Sequence, residues 1–149
     1  MTLRERRRSL AHFTAHVRAR GSIVQFHAAS VSVSADGDYF QLFLGPAESE
    51  KEDANPYEAK GPYLIVQRDF EGPDDGLCYI ETHDESYIGH SRVRLTELSR
   101  THLAFEIVRK TNNHVDVSFT LDTSDFVRVQ RIAEIIFGLR EPDLDDEAL

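Results

Sequence analysis

The chain has 149 residues, one cysteine, no tryptophan and a formal net charge of −9 at pH 7. That length suffices for one domain burying roughly 70% of its unfolded surface, and Cys78 alone excludes an intramolecular disulfide and a thiolate zinc cluster. Residues 1–20 hold six arginines against Glu5, a balance of +5, whereas the remaining residues hold 11 basic against 25 acidic side chains, a balance of −14.

An acidic body repels nucleic acid and anionic membrane and is steered towards basic proteins. Uninterrupted apolar runs reach only a few residues, far short of the ~20 that span a membrane. Residues 1–20 have neither the apolar segment nor the small-residue cleavage site of a secretory signal. A cytoplasmic protein that engages no membrane and no nucleic acid is the expectation.

In chain order, residues 1–20 read as a basic arm in which Leu3, Leu10, Phe13 and Val17 have a weak helical spacing. From Gly21 the period becomes two, over Ile23–Val33. Asp36-Gly37 between alternating runs is a two-residue hairpin signal. With those two as the loop, Val33 pairs with Phe40 and Val31 with Leu42, and all four share a face. The 45–62 connection runs from Gly45-Pro46 to Gly61-Pro62 and is acidic in its first half.

Strands are then predicted at Tyr63–Arg68, Leu77–Thr82, Arg92–Thr96, Thr101–Val108 and Val115–Leu121. Polar Glu106, Asp116 and Ser118 oppose apolar Leu103, Phe105, Ile107, Val115 and Val117, the signature of a sheet with one wet side. Asp122, Thr123 or Ser124 caps a final helix on which Phe126, Val129, Ala133, Ile136 and Phe137 recur at helical spacing. Gly138 suits its left-handed C-terminal position, and Pro142 stops continuation. The expectation is an α+β fold at residues 21–140: an antiparallel sheet of six to seven strands, covered by a C-terminal amphipathic helix and followed by an acidic tail at 141–149.

The sequence contains no G-x-S-x-G elbow, no phosphate-binding glycine loop and no dinucleotide fingerprint. Cys78, flanked by Tyr79 and Ile80, reads as a buried strand residue rather than a nucleophile. His12 and His16 are at i,i+4 spacing, but surrounding arginines would repel a cation. His83, Asp84, Glu85 and His90 form the densest polar cluster, which would serve a small metal-dependent hydrolase only if a further ligand came from elsewhere. A non-catalytic protein without metal or cofactor is therefore expected.

The order of segments resembles the immunity protein 10 family of bacterial polymorphic toxin systems. Tyr63-Leu64-Ile65-Val66-Gln67-Arg68, Cys78-Tyr79-Ile80-Glu81 and Asp84-Glu85-Ser86-Tyr87-Ile88-Gly89 stand where that family has two central strands and a polar turn. Val93-Arg94-Leu95, Leu103-Ala104-Phe105, Val117-Ser118-Phe119 and Ile135-Ile136-Phe137 continue the order, so the resemblance runs over residues 30–138. The basic arm and the acidic 45–62 segment are not features of that family. The resemblance implies an inhibitor that binds a cognate toxin, and the acidic body fits a basic one. A generic adaptor is the alternative, and a homodimer is left open. The expected partner-binding residues are Glu81, Asp84, Glu85 and Tyr87, the tyrosine serving as aromatic anchor. The loop holding Asp69, Glu71, Asp74 and Asp75 lies at the other end of the same strand and is set aside.

Overall fold

A computed structural model describes residues 23–47, 61–71 and 75–142. The expectations for the basic arm, for most of the 45–62 connection and for the tail beyond Pro142 lie outside these residues. Among the described residues the chain is α+β, as its periodicities predict. Its strands are β1 (Ile23–His27), β2 (Ser30–Asp36), β3 (Tyr39–Gly45), β4 (Leu64–Asp69), β5 (Cys78–Thr82), β6 (Gly89–Ser91), β7 (Val93–Leu98), β8 (His102–Ile107) and β9 (His114–Ser118). One helix, α1 (Thr123–Ile136), follows.

These strands form two sheets rather than one. The five-stranded sheet has the order β2-β3-β4-β5-β6, antiparallel throughout; the four-stranded sheet has the order β1-β9-β8-β7, with β1 parallel to β9. The predicted continuous strand Ile23–Val33 is broken at Ala28-Ala29, where the chain passes from one sheet to the other. A second crossing follows Ser91: this residue pairs with Cys78, whereas the carbonyl of Arg92 accepts from Val108 N–H at 2.9 Å beyond the end of β8.

The hairpin forms one residue later than the sequence implies. Asp36 pairs with Tyr39, so Gly37 and Asp38 are the loop residues, and Val33 lies opposite Leu42 rather than Phe40. Only the first loop position has positive φ, +63° at Gly37, the pattern of a type II′ turn with glycine leading. The partner strand is displaced by two residues, an even number. The predicted apolar set therefore keeps its face.

Inward-facing Phe40, Leu42, Leu44, Leu64, Val66, Cys78 and Ile80 of the five-stranded sheet are buried, as are Leu103, Phe105, Ile107, Val115 and Val117 of the other. They join Val129, Ile132, Ala133, Ile135 and Ile136 of α1 in one apolar cluster, each large side chain contributing about 1.5–3 kcal/mol by leaving water. The helix packs on β2, β3 and β4. Asp122 is its cap, accepting Asp125 N–H at 2.8 Å. Those hydrogen bonds, from the Asp125 backbone and then the Ser124 hydroxyl, hold its carboxyl below the usual value. Beyond the helix Gly138 turns at φ +78°, as predicted for a C-terminal glycine.

No basic residue occupies the last turn of α1, and β4 supplies one instead. Arg68, on the inner face, donates from Nη1 to the carbonyl of Ile136 at 3.2 Å, placing a cation at the negative end of the helix dipole. Cys78 Sγ donates to the same oxygen at 3.2 Å.

Candidate functional site

Of the four predicted partner-binding residues, Tyr87 is buried and so is not part of a surface patch. Asp84 is a cap: its Oδ1 accepts the Ser86 N–H at 3.0 Å and the Ser86 hydroxyl at 2.6 Å, and its own N–H donates to the Thr82 hydroxyl at 3.0 Å. These bonds wind Glu85–Tyr87 into a short 3-10 turn that carries Tyr87 inward. Tyr87 is 1% exposed and belongs to the core cluster. The Arg109 guanidinium lies 5.4 Å from its ring centre and donates to Ser86 O at 2.7 Å, while His114 N–H points at the phenol oxygen from 3.4 Å. Tyr87 is therefore not an exposed anchor; it fills the space behind the turn. Glu85 is exposed, and Glu81 points to the outer face of β5.

That outer face is the best-organised polar surface among the described residues. Strand alternation turns Ile80 and Thr82 inward and Tyr79 and Glu81 outward. Cross-strand register then sets Gln41, Gln67, Tyr79 and His90 in one row and Phe43, Ile65 and Glu81 in the next. Tyr63 and Tyr79 flank Glu81, donating to Oε2 at 3.1 Å and to Oε1 at 2.9 Å. Tyr39 OH and Gln67 Nε2 both donate to Gln41 Oε1, at 3.0 and 2.7 Å. His90 lies 5.2 Å from the Tyr79 ring centre. His83 lies 6.4 Å from the Tyr63 ring and 5.7 Å from Phe26.

The phenols register this environment. Tyr79 ionises later than a free tyrosine chiefly because it donates to Glu81, with partial burial second. For Tyr63 burial comes first and the Glu81 hydrogen bond next, and for Tyr39 burial comes first and the Asp69 charge second. Each phenol is held in its protonated, donating form.

At one end of the face is a hollow of about 400 Å³ lined by Tyr39, Gln67, Asp69, Asp75, Leu77, Tyr79 and His90. Asp69 Oδ1 accepts Glu71 N–H at 2.8 Å. Among the described residues neither Asp69 nor Asp75 takes part in an ion pair. The hollow thus adjoins the loop that sequence reasoning set aside; Tyr39, Tyr63, Gln67 and Tyr79 are residues it missed, and His90, weighed there only as a metal ligand, lines the hollow instead. For Tyr79 the signal was parity, an outward position between the buried Cys78 and Ile80; the others lack a buried apolar neighbour on at least one side.

His83 and His90 pack on different tyrosines, and among the described residues no three His, Cys, Asp or Glu side chains come together as a metal-binding group. Cys78 is buried beneath the end of α1. Among the described residues no helix is long and apolar enough to cross a membrane. What the outer face offers is a fixed array of rings and acceptors, suited to recognising another surface. No protein-family model matches the chain, and no match was found among curated proteins.

Proposed function

We propose that this chain is a non-catalytic binding protein that docks a basic protein on the outer face of its five-stranded sheet, and that it neutralises a cognate toxin in the cytoplasm as an immunity-type inhibitor. The observation that carries the docking face is the Tyr63–Glu81–Tyr79 arrangement, two phenols donating to the two oxygens of one carboxylate. Tyrosine combines a large contact area with few rotatable bonds and is enriched where interfaces concentrate their affinity. Here the rings are already held, so docking loses little side-chain freedom. The acidic balance outside the basic arm supports a basic partner through steering of the encounter. The resemblance of the segment order to that of the immunity protein 10 family supports the inhibitor role.

The test is to express the product of the adjacent coding region in a bacterial host with and without this chain, and to measure growth and binding. Growth arrest relieved by this chain, with direct association, is the expected result. Glu81→Lys should slow association and flatten its salt dependence, and Tyr79→Ala should speed dissociation. An adjacent product that is not toxic, or one this chain neither binds nor counteracts, overturns the reading.

A further inference from the structure

We infer that the hollow between Tyr39 and Tyr79 receives an arginine side chain of the protein partner. The inference rests on the proposed docking face and specifies what occupies part of it. Hydrogen-bond polarity is the first ground. The Tyr39 hydroxyl proton is committed to Gln41 and that of Tyr79 to Glu81, so towards a ligand both oxygens can only accept. Gln67 uses an N–H on Gln41, which leaves its carbonyl oxygen for a further donor. Asp69 has a second oxygen beyond the one that takes the Glu71 N–H, and Asp75 adds two more. Acceptors thus outnumber donors around the hollow, with the His90 ring and the remaining Gln67 N–H as the groups able to donate. The occupant that matches is one made of donors alone.

Charge and shape are the second ground. Two carboxylates, neither in an ion pair among the described residues, line a hollow of about 400 Å³. Arg92 approaches the neighbouring Gly76 and bridges to neither. Tyr39 and Tyr79 give ring surface and Leu77 an apolar wall. A guanidinium has five N–H donors in a plane, no acceptor, and a face that stacks on aromatic rings; an ammonium shares the charge but not the plane. The aliphatic stem of arginine suits Leu77.

The probe is agmatine, which has the arginine head and stem without the amino-acid carboxylate. It is titrated into the isotope-labelled full chain at constant ionic strength, with amide resonances followed by NMR. Saturable shifts at Gln67, Asp69, Leu77 and Tyr79 are expected. Affinity for putrescine, which has the same stem and double charge but no planar head, should be on the order of tenfold weaker, and the Asp69→Asn/Asp75→Asn double variant should lose agmatine binding by a similar or larger factor. Asparagine at 69 keeps an oxygen for the Glu71 N–H, so the variant spectrum also reports that the fold is intact. Shifts that are absent, do not saturate, are the same in the double variant, or are matched by putrescine overturn the inference. The double variant is also taken into the growth assay. Agmatine binding without any protection by the wild-type chain would leave the pocket standing and remove the immunity reading. Protection undiminished in the double variant would remove the pocket from the partner interface and leave the immunity reading standing.

Discussion

Ala28 and Ala29, adjacent in the chain, donate their backbone N–H groups to different sheets: Ala28 to the carbonyl of Ser118 in β9 at 2.8 Å, and Ala29 to that of Gly45 in β3 at 2.9 Å. One peptide unit therefore divides the two hydrogen-bonding ladders. The two methyls also part, since Ala28 is 3% exposed and Ala29 is exposed. A small side chain at 28 lets the sheets meet at this crossing.

Substituting each alanine by leucine should separate these roles. Ala28→Leu forces extra volume into a closed corner and should cost about 1–3 kcal/mol. Ala29→Leu, facing solvent, should stay within about 0.5 kcal/mol of wild type. Urea unfolding of the two variants, compared at equal slope, measures the difference.

Gly37→Ala should lower stability by about 1–2 kcal/mol, the cost of a side chain at its φ of +63°. An added Cβ there meets no atom within 4 Å, so the loss is conformational and not steric. Gly37→Asn should recover little of it in the same thermal or urea assay, because the first position of a type II′ turn favours glycine.

Tyr87 yields a prediction opposite to that of a surface anchor. Tyr87→Ala should cost about 3–5 kcal/mol, as truncation of a buried aromatic does, and any loss of partner binding should follow the fraction unfolded. Tyr87→Phe keeps the buried ring and removes the phenol oxygen 3.4 Å from His114 N, so it should cost clearly less than the alanine change, about 1–2 kcal/mol. Equal, negligible losses in the two variants would contradict the burial of the ring.

The phenols on the outer face predict an alkaline limit. A tyrosine whose folded pKa is raised contributes stability that is fully present below its unfolded pKa, near 10, and lost as pH rises through the higher folded value. Tyr79 and Tyr63 are both shifted this way, Tyr79 mainly by its hydrogen bond to Glu81 and Tyr63 first by burial. Phenolate absorbance is readable because the chain has no tryptophan. Glu81→Gln should bring the ionisation of Tyr79 down towards the ordinary value and that of Tyr63 down less. An unchanged titration would show that the carboxylate does not hold the two rings.

The strands were legible because their apolar residues alternate, and the helix because its cap, apolar spacing and terminal glycine agree. The passage between sheets was not. Ile23–Val33 has no glycine or proline at Ala28-Ala29 to mark a break, and a change of hydrogen-bonding partner leaves no trace in periodicity. Strand β6, Gly89-His90-Ser91, has no apolar alternation and is held by backbone pairing with Cys78–Ile80. Tyr87 was misplaced because its neighbours are polar. The hydrogen-bonding spacing of Thr82, Asp84 and Ser86 would have indicated a wound turn, and hence an aromatic facing back onto the core. The hollow needs Tyr39 beside Asp69 and Tyr79 beside Gln67, a juxtaposition fixed only when three strands are in register.

The convergence of Arg68 and Cys78 on the Ile136 carbonyl puts the chain's one thiol under the end of α1, at 1% exposure. A thiol reagent meets Cys78 only in molecules whose helix end has lifted from the sheet, so the rate of labelling counts those excursions directly. If the end of α1 frays alone, Arg68→Leu should accelerate labelling while the global unfolding midpoint moves little. If the helix leaves only with the whole core, labelling should follow global stability at every denaturant concentration. The protein thus carries a built-in clock that separates loosening of one element from loss of the fold.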